Sequence, residues 1–267
     1  MEINKIYCMD CVDGMEMLPS NSVDLTVTSP PYDKIRNYNG YTFDFKNTAK
    51  QLLRVTKDGG VVVWVVGDET TDGDESGTSF KQALYFKEIG FNLHDTMIWN
   101  KGGFSAVGAL RVRYAPVFEY MFIFTKGRIK TFNPLKDRKT INGGKKASGT
   151  IRQRDGSTKP MSKVMTINKF GQRYNIWEIS PQRQRGKVHP APFPEQIAND
   201  HILSWSNVGD LILDPFMGSG TTAKMSLLND RNFIGFELSQ EYCDIANSRL
   251  EDVSEEEEIM DEHELED

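Results

Sequence analysis

The chain has 267 residues and a formal charge of −6, enough to bury a substantial core in one large domain or one domain with an insertion. No apolar run approaches the roughly 18 to 20 residues of a membrane span; the longest, Val61–Val66, has the length of a buried strand. The first ten residues lack a basic segment followed by an apolar one, and three cysteines cannot build a disulfide framework, so a reducing cytoplasm is expected and a secretory signal is not.

In chain order, Ile3–Met9 reads as a short strand and Gly14–Leu18 as a helical turn. Val23–Thr28 is a β-branched run that stops at Ser29-Pro30-Pro31, so a strand ends there and a rigid loop begins. Phe43–Val55 carries Phe45, Ala49, Leu52 and Leu53 at helical spacing and is closed by Gly59-Gly60. Val61–Val66 is unbroken in apolarity, as a strand buried on both faces is. Thr78 is placed to cap a helix through Ile89, ended by Gly90. Phe91–Trp99 and Val117–Thr125 read as strands, and Glu195–Trp205 as a helix after a proline-rich entry. Strand Leu211–Leu213, helix Thr221–Leu228, strand Phe233–Phe236 and helix Gln240–Leu250 follow. Strands alternating with helices predict an α/β fold with a mostly parallel sheet.

The net charge hides a split. Residues 251–267 carry 11 acids and no Lys or Arg, leaving 32 basic and 27 acidic residues, hence +5, for the rest. Between Lys126 and Lys187 there are 17 Lys and Arg against Asp137, Asp155 and Glu178, so 62 residues carry +14. That is the electrostatic footprint of a polyanion-binding region. The same stretch breaks the strand–helix rhythm with Gly143-Gly144, Gly149, Gly156 and Pro160, and reads as an insertion. The acidic tail reads as disordered.

Two motifs carry chemistry. In Asp214-Pro215-Phe216-Met217-Gly218-Ser219-Gly220-Thr221-Thr222 a strand leads through a glycine turn into a helix. Gly218 and Gly220 permit the tight turn and a close backbone approach to a ligand. Glu237 lies 17 residues beyond Gly220, at the end of the next strand, where an acid can accept from ribose hydroxyls. No third glycine completes a dinucleotide fingerprint, which disfavours NAD. In the second motif, Thr28-Ser29-Pro30-Pro31-Tyr32, two prolines fix the backbone so that nearby carbonyls aim in set directions. Ser29 adds a hydroxyl and Tyr32 a ring that can stack. Such a group suits a planar exocyclic amine: acceptors on its N–H groups draw the nitrogen toward a tetrahedral form and free its lone pair. Cys8, Cys11 and Cys243 are not placed for attack on a base carbon, and the single Cys8–Cys11 pair has no second pair to form a zinc site.

Together the motifs resemble those of the S-adenosylmethionine-dependent amino DNA methyltransferases. Their order, with a basic stretch between, resembles the β group, a circular permutation of the common methyltransferase fold; the likeness covers residues 3–250. It implies a Rossmann-like, doubly wound mixed sheet with a basic target-recognition insertion. The expected organisation is a catalytic part at 1–125, a target-recognition region at 126–187, a cofactor-binding part at 188–250 and an acidic tail at 251–267. It implies Ser29, Pro30, Pro31 and Tyr32 as catalytic residues. For S-adenosylmethionine it implies Asp10 near the adenine, Glu237 on the ribose, and Asp214, Phe216, Gly218, Ser219, Gly220 and Thr221 around the methionine part. His189, Pro190 and Phe193 are expected to line that pocket. Members with Ser at the first tetrapeptide position often modify cytosine at N4, whereas those that modify adenine at N6 more often carry Asp or Asn, so cytosine N4 is favoured here. The implied partner is double-stranded DNA, whose target base must be extruded, with Tyr32 as stacking platform, Tyr38, Tyr41 or Phe43 assisting, and Arg111 and Arg113 as further phosphate contacts. The resemblance also allows a homodimer and a cognate restriction enzyme. A catalytically silent DNA-binding relative is the competing reading from another class.

Overall fold

The structure is a computed structural model; it describes residues 1–31, 43–103, 112–181 and 194–251. The chain forms two compact units, residues 1–133 with 175–267, and residues 134–174.

Among the described residues, the main sheet of the large unit has eight strands: β1 (Lys5–Cys8), β2 (Val23–Thr28), β3 (Thr56–Val66), β4 (Asn92–Asn100), β5 (Phe118–Thr125), β6 (Ile176–Glu178), β7 (Leu211–Asp214) and β8 (Asn232–Glu237). Their order across the sheet is β1-β8-β7-β2-β3-β5-β4-β6. All neighbours run parallel except β5, which is antiparallel to both β3 and β4. The helices are α1 (Cys11–Glu16), α2 (Phe45–Val55), α3 (Thr78–Ile89), α4 (Glu195–Trp205), α5 (Thr221–Leu227) and α6 (240–251).

The run Val61–Val66 is fully buried because helices cover both faces of β3. Alternate side chains Val62, Trp64 and Val66 join a core with Met15 of α1, Leu52 of α2 and Phe86 of α3. Trp64 and Phe86 meet edge to face at 5.1 Å, and the Trp64 indole N–H donates to Gln82 Oε1 at 2.8 Å, so the buried polar group is satisfied. The opposite face is held by α4 and α5. There His201 stacks on Trp177 at 4.5 Å and accepts from Trp205 Nε1 at 3.1 Å, a buried structural histidine.

Several expected boundaries differ: α1 runs over Cys11–Glu16 and not Gly14–Leu18, and β1 is shorter than Ile3–Met9. Gly59-Gly60 does not close α2: Thr56 does, with extended backbone, and β3 begins there. The glycines sit in a β-bulge between β2 and β3, where a Cβ on Gly60 would come within 2.8 Å of the Asp24 carbonyl oxygen. Thr78 is the first residue of α3 and not its cap; Gly77, at φ 61°, holds that place. The free N–H of Ser79 is satisfied by Asp68 Oδ1 at 2.9 Å.

From β7, α5 carries the chain to β8 on one side; from β2, α2 carries it to β3 on the other. Strand order therefore reverses between the neighbours β7 and β2, and in open α/β sheets ligands bind outside the carboxyl ends of the strands at such a reversal. Both motifs leave the sheet at that point.

Candidate active site

The last residue of β2, Thr28, and the last of β7, Asp214, are joined by a hydrogen bond: Thr28 Oγ1 donates to Asp214 Oδ1 at 2.6 Å. Asp214 Oδ1 also accepts from the backbone N–H of Phe216 at 3.0 Å, and Oδ2 accepts from Thr222 Oγ1 at 2.7 Å. The carboxyl is buried, and burial pushes it up to about 6, against the three hydrogen bonds that hold it down. An acid so placed is costly to ionise in the folded chain, and a cation set beside it relieves that cost.

The glycine turn is built the same way, from groups that brace backbone. Gly218 and Gly220 have φ of 53° and 82°, open to glycine at little cost. The Gly218 N–H donates to Glu237 Oε2 at 2.9 Å, and Ser239 N–H donates to Oε1 at 2.9 Å. Each Glu237 oxygen keeps a further lone-pair direction, so the residue retains capacity for two hydroxyl donors. Behind the turn, Arg249 donates to the Ser219 carbonyl at 2.5 Å and to Glu195 Oε1 at 2.8 Å, which also takes Lys224 Nζ at 3.1 Å. Asp10, just past β1, accepts from the Val12 and Asp13 N–H groups and caps α1. Phe216 is half-buried, edge to face with Phe43 at 5.1 Å.

The parallel registers Cys8↔Glu237, Asp214↔Gly235 and Leu213↔Thr26 put Asp10, Glu237, Asp214 and Ser29 along one carboxyl edge of the sheet. Ser29, Pro30, Pro31, Phe216, Ser219 and Thr221 belong to the same edge, with Pro30, Ser219 and Thr221 buried. Tyr32, Tyr38, Tyr41, Arg111, His189, Pro190, Phe193 and the tail beyond 251 lie outside the described residues. Thr28, Thr222, Glu195 and Arg249 were missed as site-supporting residues. A hydroxyl at the end of β2 and one in the first turn of α5 are the available signal, because a buried carboxylate requires donors. The Arg249–Glu195 pair spans 54 residues and left no trace in sequence.

The residues fit a cationic, hydroxyl-bearing nucleoside ligand: three acids along one edge, Glu237 among them with unused acceptor capacity, and a glycine turn whose backbone a ligand can approach. The fold defines a Rossmann-like α/β protein with its candidate ligand edge at the reversal of strand order. A family model for N6/N4 DNA methylases matches residues 23–248, and the chain belongs to that DNA methylase family. The orphan methyltransferase M.BamHII of Bacillus amyloliquefaciens is 58% identical over 237 residues, spanning 86% of this chain and 89% of that protein. The Type II methyltransferase M1.MboII of Moraxella bovis is 29% identical over 276 residues, spanning 92% and 96%. Among solved structures, the cytosine-N4-specific PvuII DNA methyltransferase aligns with a TM-score of 0.67 at 19% identity, over 91% of this chain and 85% of that one. The M1.HpyAVI complex with SAM aligns at 0.63 and 23% identity, over 92% and 98%. These two likenesses establish a shared fold.

Proposed function

We propose that this chain transfers the methyl group of S-adenosylmethionine to an exocyclic amine of a base flipped from duplex DNA, with cytosine N4 as the target. The Thr28–Asp214 hydrogen bond carries the reading, because it ties the strand that ends in Ser29-Pro30-Pro31 directly to the strand that opens the glycine turn. One crevice thus has a cofactor wall and an amine-binding wall. When bound, the cofactor supplies an electrophilic methyl group on a sulfonium.

The chain's own residues do the rest. Glu237 accepts from the ribose hydroxyls, and Asp10 sits toward the adenine. Asp214 lies beside the methionine part, whose ammonium favours its ionised form. Phe216 and the Gly218–Thr221 turn pack against that part, with His189, Pro190 and Phe193 completing the pocket. The Ser29 hydroxyl and the Pro30 carbonyl accept from the two amine N–H groups, so the nitrogen lone pair turns out of the ring toward the methyl donor. Tyr32 stacks on the flipped base and holds it at attack distance. Ser29, a neutral hydroxyl in place of an acid or amide, favours cytosine over adenine.

The test is methyl transfer by the purified chain to duplex DNA, single-stranded DNA and RNA, followed by mass spectrometry of the released nucleosides. The reading expects N4-methylcytosine from duplex DNA. N6-methyladenine would retain the family and reject the Ser29 argument; methylation confined to RNA, or no transfer, would reject the proposal.

A further inference from the structure

The small unit, 134–174, is one two-stranded arm. Its three antiparallel pairs are nested: Arg138–Lys139 with Phe170–Gly171, Lys146–Ala147 with Met165–Thr166, and Thr150–Arg152 with Thr158–Pro160. Backbone hydrogen bonds join them into a ladder, from Arg173 N–H to the Leu135 carbonyl at 2.8 Å up to Gln153 N–H to the Ser157 carbonyl at 2.7 Å. A turn at 141–144 interrupts one leg. The tip is a tight reversal: Gly156, at φ 85°, donates back to the Gln153 carbonyl at 3.1 Å, and Asp155 Oδ1 accepts from both the N–H and the hydroxyl of Ser157.

No residue of 134–174 is buried. A ribbon without a core is at best marginally stable by itself, so its sequence answers to something other than packing. Eleven Lys and Arg stand against Asp137 and Asp155, a charge of +9 over 41 residues. Asp137 is already paired with Arg173, and Asp155 is spent inside the tip. Two strands about 4.8 Å apart with their side chains match the roughly 12 Å width of the DNA major groove.

We infer that this arm enters the major groove and that Arg152, Gln153 and Arg154 at its tip read the recognised sequence. The inference rests on the reading that the chain acts on duplex DNA. The three side chains have the right chemistry: a guanidinium forks onto guanine O6 and N7, and a glutamine amide onto adenine N6 and N7. Arg152 belongs to the last rung, opposite Thr158, and Gln153 and Arg154 to the turn beyond it. The lysines lower on the legs, among them Lys146 and Lys163, meet phosphates and fix the position of the arm.

The test is selection of bound duplexes from a random-sequence library by the full chain, a readout that needs no methyl transfer. The wild type enriches a motif. Arg152→Lys, Gln153→Ala and Arg154→Lys relax it at one or two positions each, by about 5- to 150-fold per lost contact, while the lysine exchanges keep the charge. Lys146→Ala with Lys163→Ala weakens binding to all duplexes, leaves the motif intact and lowers the salt slope by about 2. Unchanged cofactor affinity in every variant shows that the large unit is folded, and unchanged affinity of the tip variants for duplexes that lack the motif shows that the arm is. Tip variants that enrich the wild-type motif unaltered overturn the arm assignment and leave the proposed activity standing. A wild type that enriches no motif also overturns it, and methyl transfer to genomic DNA then judges the activity separately.

Discussion

Asp214 is a buried carboxyl held between two threonine hydroxyls and a backbone N–H, and its cost and its use are linked. Burial raises it from an ordinary 3.8 to about 6, so the folded chain binds the proton more tightly than the unfolded one. This contribution to stability is full below pH 4 and falls as pH rises to about 6; above that, ionised Asp214 costs on the order of 3 kcal/mol. Asp214→Asn removes the charge at constant shape. Its melting temperature should exceed the wild type's by several degrees at pH 8 and match it near pH 4, while S-adenosylmethionine affinity drops at pH 8. Equal pH dependence in both proteins, by calorimetry, would contradict the burial argument. Tyr32→Ala should separate the other wall: methyl transfer falls at least 100-fold with cofactor affinity within about threefold, read by single-turnover kinetics and titration. At this scale motif position marks Asp214, Glu237 and Ser29 as candidates. It could not show Thr28 and Thr222 as partners of Asp214, because the first bond spans 186 residues and depends on which strands are neighbours, and the second depends on how the glycine turn brings the start of α5 back over Asp214.

Among the elements, the long apolar and amphipathic runs were legible. Val23–Thr28 and Glu195–Trp205 have the expected bounds, since period and punctuation agree there. Gly59-Gly60 misled because a bulge and a helix stop use the same glycines. Ile176–Glu178, the sheet's edge strand, carries no strand signal: it is three residues long with only Trp177 buried. The arm was legible as charge and not as a ribbon: its paired segments are two or three residues long and wholly or partly exposed, so no burial imposes a period of two. The glycine turn offers a test at this scale. Gly220 has φ 82°, and a Cβ there would lie 2.8 Å from Ala246 Cβ in α6. Gly220→Ala should cost roughly 2–3 kcal/mol, from left-handed strain and the displaced helix. Chemical denaturation measures it, and an unchanged midpoint would show that the turn relaxes freely.

Over the whole molecule, a chain of net charge −6 carries a 41-residue arm of +9. Charge is locally segregated, so the net value does not predict affinity for nucleic acid. Every buried core residue lies outside the arm, and its legs are bonded at Leu135 and Arg173. Replacing residues 134–174 by a short Gly-Ser linker should therefore leave cofactor affinity and melting temperature nearly unchanged while duplex affinity falls at least tenfold at 50 mM salt. Loss of cofactor binding in that variant would show the arm to be part of the fold's support. The central claim, methyl transfer to an exocyclic amine of DNA, is tested most directly by single-molecule sequencing of DNA from cells that express the chain, beside a control with Ser29, Pro30, Pro31 and Tyr32 all changed to alanine. N4-methylcytosine within one short motif, absent from the control, is the predicted result; DNA with no modified base in either sample would contradict the account.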